Sequence, residues 1–281
     1  MYGTLYLCAT PIGNLSDVSS RFIETLEFVD LIAAEDTRVS IKLLNHFNIK
    51  KPLTSYHEHN KAEKGEYIIS LLKEGKNVAL VSDAGTPAIS DPGEDLVRLC
   101  IKNDINVTSI PGCVAAINAL ILSGLSTKRF SFEGFLSVNK RHRKEHLSSL
   151  TTDPHTMIFY EAPHKLTYTL ADMCATFGQT RKIALVRELT KLHEEVFRGT
   201  LGDAVKKFET DKPRGEYVII VDGYNGENDS DEDAWWGNLS VCEHVDEYIK
   251  KGMDSKEAIK AVSLDRKVQK REIYNEYHNS K

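Results

Sequence analysis

The segment from residue 78 to residue 93 carries the side chains best suited to binding a small molecule. An apolar run stops abruptly at Ser82-Asp83-Ala84-Gly85-Thr86, and Pro87 and Pro92-Gly93 follow it. In an open α/β sheet, ligands bind at the carboxyl ends of strands, where small residues let backbone polar groups approach closely. The chain has neither G-x-G-x-x-G nor a Gly-Lys-Ser/Thr phosphate loop. We therefore expect a cofactor that is not held by phosphates; a connector with two turns is the alternative.

Three further apolar runs end in a similar way. Residues 4–9 lead into Thr-Pro-Ile-Gly-Asn-Leu, and residues 107–110 lead into Pro-Gly-Cys. Residues 31–34 run into the charged sequence Glu-Asp-Thr-Arg, which is typical of the rim of a cleft. Because the carboxyl ends of parallel strands meet at one edge of a sheet, we expect all four strand ends to converge on one crevice.

The elements that position these residues predict an α/β protein. Strand-like runs alternate with amphipathic segments in the first half, which indicates βαβ units and a largely parallel sheet. In the second half some strands follow one another without a helix, which indicates a mixed sheet. Three short helices are predicted at the end of the chain, over residues 241–251, 255–262 and 265–277. The predicted parts are an α/β domain (1–123), a second α/β domain (124–224), an acidic linker (225–237) and a helical module (238–281).

Composition restricts the class of protein. The chain has 281 residues, of which 41% are hydrophobic and 27% are charged, as in soluble globular proteins. It has no apolar run of the roughly 20 residues that a membrane span needs, and its first residues lack a basic segment. We therefore expect a cytoplasmic protein. The five cysteines are odd in number and form no C-x-x-C, so neither a disulfide framework nor a zinc ribbon is predicted.

The net charge of −5 is unevenly distributed, because five acidic residues fall within residues 226–236. By contrast, residues 128–144 contain six lysines and arginines and a single acidic residue, Glu133. Such a positive surface attracts phosphates, and a solvated loop is the alternative. His142 and His146 lie four residues apart, but no nearby carboxylates complete a metal site and we expect none. The chain also lacks G-x-S-x-G, and Cys113 has no local histidine, which argues against nucleophilic catalysis.

Five segments together resemble the ribosomal small subunit methyltransferase I family, which belongs to the tetrapyrrole methylase superfamily. The likeness covers roughly residues 4–222, and the segments occur in the family's order. They are Thr-Pro-Ile-Gly-Asn-Leu (10–15), Ala-Glu-Asp-Thr-Arg (34–38), Tyr-His-Glu-His-Asn (56–60), Ser-Asp-Ala-Gly-Thr-Pro (82–87) and Phe-Tyr-Glu-Ala-Pro-His (159–164).

The resemblance implies a two-domain tetrapyrrole methylase-like (class III methyltransferase) fold that binds S-adenosylmethionine between its domains, usually as a homodimer. It implies 2′-O-methylation of a cytidine ribose in the decoding region of 16S rRNA, so that 16S rRNA or the small ribosomal subunit is the partner. S-adenosylmethionine has no phosphates, which agrees with the small-residue loops. The implied cofactor site consists of Pro11, Ser82, Asp83, Ala84, Gly85, Thr86, Pro111, Gly112 and Tyr160.

Methyl transfer to a ribose hydroxyl requires the oxygen, the methyl carbon and the sulfur to lie in line. Since the 2′-hydroxyl is a poor acid, a base or a cation near the developing alkoxide would help. A salt bridge at the domain interface is the alternative role for each candidate. The candidates for the base or the cation are Asp36, Arg38, Glu161, Glu188 and Lys191, with Arg187 beside them.

The basic segment, residues 139–144, supplies the candidates for RNA binding. If the resemblance holds, these side chains would contact phosphates of the substrate. Two other functions remain open. One is a methylase of the same superfamily that acts on a small tetrapyrrole-type molecule, and the other is a non-catalytic RNA-binding assembly factor. The RNA-binding candidates are Lys140, Arg141, Arg143 and Lys144.

Overall fold

The computed structural model describes residues 1–226, 236, 238–266 and 268–279 of the chain. It divides into two compact units, Met1–Gly223 and Tyr224–Lys281. Within the first unit, the described residues form two five-stranded sheets. Residues 227–235 and 237, which make up most of the predicted acidic linker, lie outside the described residues.

The first sheet is entirely parallel. Its strands are β1 (Thr4–Cys8), β2 (Leu31–Ala34), β3 (Leu53–Ser55), β4 (Val78–Val81) and β5 (Asn106–Ile110). Their order across the sheet is β3-β2-β4-β1-β5. The helices that connect them are α1 (Ser20–Phe28), α2 (Thr37–His46), α3 (Lys61–Lys73) and α4 (Gly93–Lys102).

Helices cover this sheet on both faces, which explains why strands β2 and β4 are apolar and buried at every position. On one face Leu80 belongs to a core with Ile68 of α3 and with residues of α4. On the other face Val81 belongs to a core with Phe22 of α1 and with residues of α2. The chain thus leaves β1 and β4 toward opposite faces. Such a divergence opens a crevice at the carboxyl ends of the two neighbouring strands.

The second sheet is mixed, as the run of strands without helices predicts. Its strands are β6 (Phe130–Phe135), β7 (Thr156–Glu161), β8 (Lys182–Arg187), β9 (Glu195–Thr200) and β10 (Tyr217–Val221). The order is β6-β7-β10-β8-β9, in which only β6 and β7 pair in parallel. A bulge between Phe132 and Gly134 shifts the register of β6.

The two faces of the second sheet are covered by different helices. One face packs against α6 (Lys140–Ser149), α7 (Pro163–Phe177) and α8 (Leu201–Thr210). The other packs against α5 (Ala115–Ser123), whose Ala119 and Leu120 are buried there. Helix α5 therefore contributes to the core of the second sheet, although the predicted boundary at residue 123 follows it. The domain bounds stay a prediction.

The basic segment takes a conformation that its composition does not indicate. It begins helix α6, because the Asn139 side chain accepts hydrogen bonds from the backbone N–H groups of Arg141 and His142. The segment has almost no apolar periodicity, and Leu147 is the residue that anchors the helix in the core. This helix presents much of the segment's positive charge on its exposed side.

The second unit contains three helices in its described part. They are α9 (Val241–Lys250), α10 (Ser255–Asp265) and α11 (Lys270–Asn279). Capping boxes at Ser240 and Asp254 begin the first two helices, and Val245, Val262 and Ile273 share one small core. Helix α10 continues to Asp265, so the third helix begins later than the predicted residue 265. No helix in the described part of the chain is long and apolar enough to cross a bilayer.

Candidate active site

A cleft of about 510 Å³ lies at the carboxyl ends of the first sheet and takes its other wall from the second sheet. The loops after β1 and β4 meet at its floor, where Thr10 N–H donates to Gly85 O (2.9 Å) and Gly85 N–H donates to Thr10 O (3.2 Å). The crevice expected from the strand ends is therefore present. Its lining includes Ile12, Glu35, Ser82, Asp83, Ala84, Gly85, Thr86, Ile89, Ser90, Asp91, Phe135, Tyr160, Glu161, Glu188, Leu189, Lys191, Glu216, Tyr217 and Val218.

The loop after β4 is held by its own side chains. The Ser82 hydroxyl donates to Gly85 O at 2.9 Å, and the Thr86 hydroxyl donates to Cys113 O at 3.0 Å. Gly85 has φ +85°, a conformation that favours glycine. The first bond lies within the loop, and the second ties it to the loop after β5. Because both side chains bond to backbone oxygens, the wall of the cleft is made of small residues and backbone.

The same loop continues through two strained residues that the sequence did not single out. Ala88 and Ser90 both adopt left-handed conformations, with φ of +70° and +64°. The Asp91 carboxylate stabilises this turn by accepting from the N–H groups of Ala88 (2.9 Å) and Gly93 (2.7 Å). Backbone strain of this kind is concentrated at ligand sites. The Pro-Gly pair at residues 92–93 marks a turn but gives no indication of its handedness.

Carboxylates make this wall of the cleft negative. Burial raises the pKa of Glu35, and the neighbouring charges of Asp83, Asp91 and Asp36 raise it further. Burial also raises the pKa of Asp91, although hydrogen bonds from backbone N–H groups oppose the shift. A site with these groups favours a ligand that carries positive charge. Glu35 was seen in the sequence only as part of a charged rim.

Two of the predicted catalytic residues lie next to the cleft and do not line it. The Asp36 N–H donates to the Asp83 carboxylate at 3.0 Å, and the Asp36 side chain caps helix α2. Hydrogen bonds from the Arg38 side chain and backbone lower the pKa of Asp36 to about 2. The Arg38 side chain is 88% exposed. This pair therefore supports the Asp83 loop from outside.

The opposite wall carries Tyr160 and Glu161 at the end of β7. The Tyr160 hydroxyl accepts from Ala116 N–H at 3.1 Å, and its ring makes edge contacts with Phe132 and Phe135. Burial raises the pKa of this phenol. The buried Glu161 carboxylate accepts from the Thr169 hydroxyl at 2.6 Å and from Ala162 N–H at 2.9 Å. These bonds fix the end of β7 against helix α7.

The turn after β8 brings Glu188 and Lys191 together. The Lys191 ammonium donates to Glu188 at 3.0 Å and to Glu216 at 3.2 Å. Burial opposes the charged form of Lys191, but the two carboxylates outweigh it and raise its pKa. The hydrogen bond from Lys191 lowers the pKa of Glu188. Lys191 is thus a cation at neutral pH, and Glu188 is a weak base.

This turn is also strained and closely packed. Glu188 and Thr190 have φ of +51° and +66°. A Cβ at Gly13 would lie 2.5 Å from the Lys191 side chain and 2.8 Å from the Thr190 hydroxyl oxygen. Glycine at residue 13 therefore lets the loop after β1 approach the second sheet.

The remaining predicted cofactor residues, Pro11, Pro111 and Gly112, precede residues of the cleft wall in the loops after β1 and β5. Pro11 precedes Ile12, which lines the cleft. Pro111 and Gly112 follow β5, and a Cβ at Gly112 would lie 2.8 Å from the Ala9 Cβ. Gly112 thus permits the close approach of the ends of β1 and β5. None of these three residues is part of the cleft wall.

The basic segment lies outside the cleft. Lys140, Arg141 and Lys144 surround a shallow depression on α6. The Arg143 side chain is 13% exposed, and it pairs with Asp172 at 2.7 Å and donates to Ser137 O. Arg143 therefore joins α6 to α7. Lys140, Arg141 and Lys144 are exposed, and Arg141 also pairs with Glu145 at 2.8 Å.

The described residues contain no group of three or more histidines, cysteines or carboxylates that could hold a metal ion. Of the two histidines considered in the sequence, His146 hydrogen-bonds to Glu133 at 2.9 Å. The five cysteines are free thiols. Burial raises the pKa values of Cys8 and Cys100 to about 12, so neither is a reactive thiolate.

The class of protein follows from this fold and from a family model. The model described as Tetrapyrrole (Corrin/Porphyrin) Methylases matches residues 4–205. Among curated proteins, the "Ribosomal RNA small subunit methyltransferase I" of Halalkalibacterium halodurans is 54% identical over 276 residues, which cover 98% of this chain and 95% of the relative. The protein of the same name from Bacillus subtilis is 50% identical, with coverages of 98% and 94%.

The chain belongs to the ribosomal RNA small subunit methyltransferase I family, within the tetrapyrrole methylases. Among solved structures, diphthine synthase aligns with a TM-score of 0.60 at 14% identity, covering 79% of this chain and 90% of that one. Cobalt precorrin-4 methyltransferase aligns with a TM-score of 0.59 at 16% identity, covering 78% and 94%. These distant structures show the fold. Together the comparisons confirm the predicted family, the fold class and an S-adenosylmethionine-dependent methyltransferase.

Proposed function

We propose that this protein transfers a methyl group from S-adenosylmethionine to the ribose 2′-oxygen of a cytidine in the decoding region of 16S rRNA. The observation that carries the proposal is the cleft of small residues and carboxylates, in a chain that is 54% identical to a ribosomal RNA small subunit methyltransferase. We further propose that the protein acts in the cytoplasm as a homodimer. Exposed apolar side chains on α5, Ile117 and Ile121, support the homodimer.

The residues of the cleft fit S-adenosylmethionine. The cleft's volume of about 510 Å³ lies within the usual range for small-molecule sites. Ala84 and Gly85 leave backbone groups accessible, while Glu35, Asp83 and Asp91 favour a cation. When bound, S-adenosylmethionine supplies a methyl group on a positively charged sulfur. We assign Asp83 to the cationic part of the cofactor, with Pro11, Pro111 and Gly112 shaping the floor.

The chain's own residues would then orient the acceptor and stabilise charge. Lys191 remains protonated because Glu188 and Glu216 hold it, so it suits stabilisation of the developing alkoxide. Glu161 is bonded to α7 and suits positioning of the neighbouring Tyr160. Asp36 and Arg38 support the Asp83 loop from outside. Lys140, Arg141 and Lys144 would contact RNA phosphates, and Arg143 would hold their helix in place.

The test is a methylation assay on small ribosomal subunits isolated from a strain that lacks the corresponding enzyme. The protein is incubated with these subunits and S-adenosylmethionine labelled in its methyl group, and the RNA is then hydrolysed with alkali. Because a methylated 2′-oxygen cannot attack the adjacent phosphate, we expect the label in an alkali-resistant dinucleotide that contains cytidine. Label confined to mononucleotides, or to an added porphyrinoid, would contradict the proposal.

A further inference from the structure

A second cavity lies at the same end of the second sheet as the cleft. Its volume is about 460 Å³. Arg187 at the end of β8, Glu195 at the start of β9 and Tyr217 at the start of β10 all line it. Tyr217 also lines the cleft, so the two cavities open at the same edge of the second sheet, the cleft on its α5 face and the second cavity on its α8 face. A chain that passes around this edge of the sheet could therefore place one residue in the cleft and another in the second cavity.

The floor of the second cavity is apolar and aromatic. Leu185, Phe197, Phe208 and Tyr217 contribute to it. The rings of Phe208 and Tyr217 are 6.0 Å apart in an edge contact, and both side chains are nearly buried. Phe197, which is only partly buried, is the ring that offers aromatic surface to a nucleobase, and stacking of this kind does not require one particular sequence.

The rim of the cavity carries excess positive charge. Arg187 pairs with Glu195 at 3.0 Å, and Lys207 pairs with Asp211 at 3.0 Å. Lys212 and Arg214 also line the rim and are exposed, and they have no ion pair with any residue in the described ranges. Two cations thus remain uncompensated at the rim, which is the arrangement that attracts a phosphate.

The loop that carries these two cations also reaches the cleft. Glu216 follows Arg214 by two residues and accepts from Lys191 at 3.2 Å. The backbone carbonyl of Arg214 accepts from the Arg187 side chain at 2.8 Å. Residues 211–216 therefore connect the rim of the second cavity to the cation that we assign to the methyl acceptor.

We propose that the second cavity binds one nucleotide of single-stranded RNA, a neighbour of the nucleotide whose ribose enters the cleft. Its base packs on the aromatic floor, and its phosphate lies against Lys212 and Arg214. This inference rests on the proposed function, because it requires that the acceptor is part of an RNA chain. The cavity gives the enzyme a second point of contact that fixes the register of the chain.

The test compares two double variants that lose the same charge. The first is Lys212→Gln with Arg214→Gln at the cavity rim, and the control is Lys182→Gln with Lys206→Gln at exposed sites outside it. Binding of a fluorescein-labelled single-stranded RNA is measured by anisotropy over a range of salt concentrations. Losing two phosphate contacts should reduce the salt slope by about 1.4 and weaken binding about 20-fold at 0.1 M salt, while the control stays near wild type.

The possible outcomes distinguish a failure of the cavity assignment from a failure of the proposed function. Equal RNA affinity and salt slope in the two double variants, or a wild type that binds no RNA, would overturn the assignment of the cavity. Cytidine monophosphate that binds the wild type as tightly as the RNA does would also overturn it, in favour of a mononucleotide ligand. Methyl transfer by the wild type to small subunits is measured in parallel. RNA binding that depends on Lys212 and Arg214, without any methyl transfer, would refute the proposed function, and the cavity would then be an RNA site without a neighbouring methyl acceptor.

Discussion

At the scale of single residues, Lys191 combines a position in the cleft wall with a secured positive charge. Glu188 and Glu216 raise its pKa against the effect of burial, so it cannot act as a base near neutral pH. We therefore propose an electrostatic role for Lys191, and such a role has its largest effect where negative charge develops on the acceptor oxygen.

We predict that Lys191→Met lowers kcat for methyl transfer by about 10²- to 10³-fold, the usual effect of removing one group that stabilises an oxyanion. The dissociation constant for S-adenosylmethionine should change little. Steady-state kinetics on small subunits and calorimetry measure the two quantities. Lys182→Met, at an exposed site on β8, is the matched control. Turnover by Lys191→Met within threefold of the control would exclude Lys191 from the reaction.

Asp36 supplies a prediction about pH. Its folded-state pKa is lowered from 3.8 to about 2 by hydrogen bonds from Arg38. A lowered pKa in the folded state stabilises the protein above the unfolded value, and this contribution is lost as the pH falls through about 2. The difference in unfolding free energy between wild type and Asp36→Asn should therefore shrink between pH 4 and pH 2. Urea unfolding at several pH values measures it, and a difference that is constant over this interval would contradict the assigned ion pair.

At the scale of elements, the sequence predicts the strand ends well. The four runs that stop in small or charged residues are β1, β2, β4 and β5, and their carboxyl ends surround one cleft. These strands can be recognised in the sequence because each is an apolar run followed directly by turn-forming or charged residues. Strand β3 has only three half-buried residues and gives no such signal. The sequence does not predict helix α6, because its residues are mostly polar and show no apolar periodicity. The helix depends on the Asn139 cap and on the buried Leu147.

The close approach of β1 and β5 predicts the effect of Gly112→Ala. The new Cβ would lie 2.8 Å from the Ala9 Cβ, so the loop after β5 must shift away from the floor of the cleft. We expect a loss of about 1–3 kcal/mol in the free energy of unfolding, as for other overpacked sites, and weaker binding of S-adenosylmethionine.

Chemical denaturation and calorimetry test this prediction. The control is Gly202→Ala in helix α8, where a Cβ would meet its nearest neighbour at 3.3 Å. Wild-type stability and cofactor affinity in Gly112→Ala would show that the strand ends do not set the shape of the cleft.

At the scale of the whole molecule, the sequence predicts more of the site's location than of its geometry. The small residues of the loop after β4 lie in the cleft, as do Tyr160, Glu161, Glu188 and Lys191. Asp91, Glu216 and the left-handed residues Ala88 and Ser90 were missed, because φ and long-range pairing leave no local pattern. The support given by Arg143 to α7 was missed for the same reason, since Asp172 is 29 residues away.

Every residue of the cleft wall belongs to the unit Met1–Gly223. The helical unit has a core of its own, which includes Val245, Ile259 and Tyr277. We therefore predict that a chain truncated after residue 225 folds and binds S-adenosylmethionine within threefold of the full-length affinity. Calorimetry on both proteins tests this, and loss of binding by a folded truncated chain would show that residues beyond 225 complete the site.

The central claim is that small residues and carboxylates at the strand ends hold a positively charged methyl donor. The most direct measurement is calorimetric titration of S-adenosylmethionine into the wild type, Asp83→Asn and the exposed control Glu24→Gln. We predict saturable binding at one site per chain for the wild type and the control, and at least tenfold weaker binding for Asp83→Asn. Absence of binding to folded wild-type protein, or equal affinity in all three, would contradict the claim.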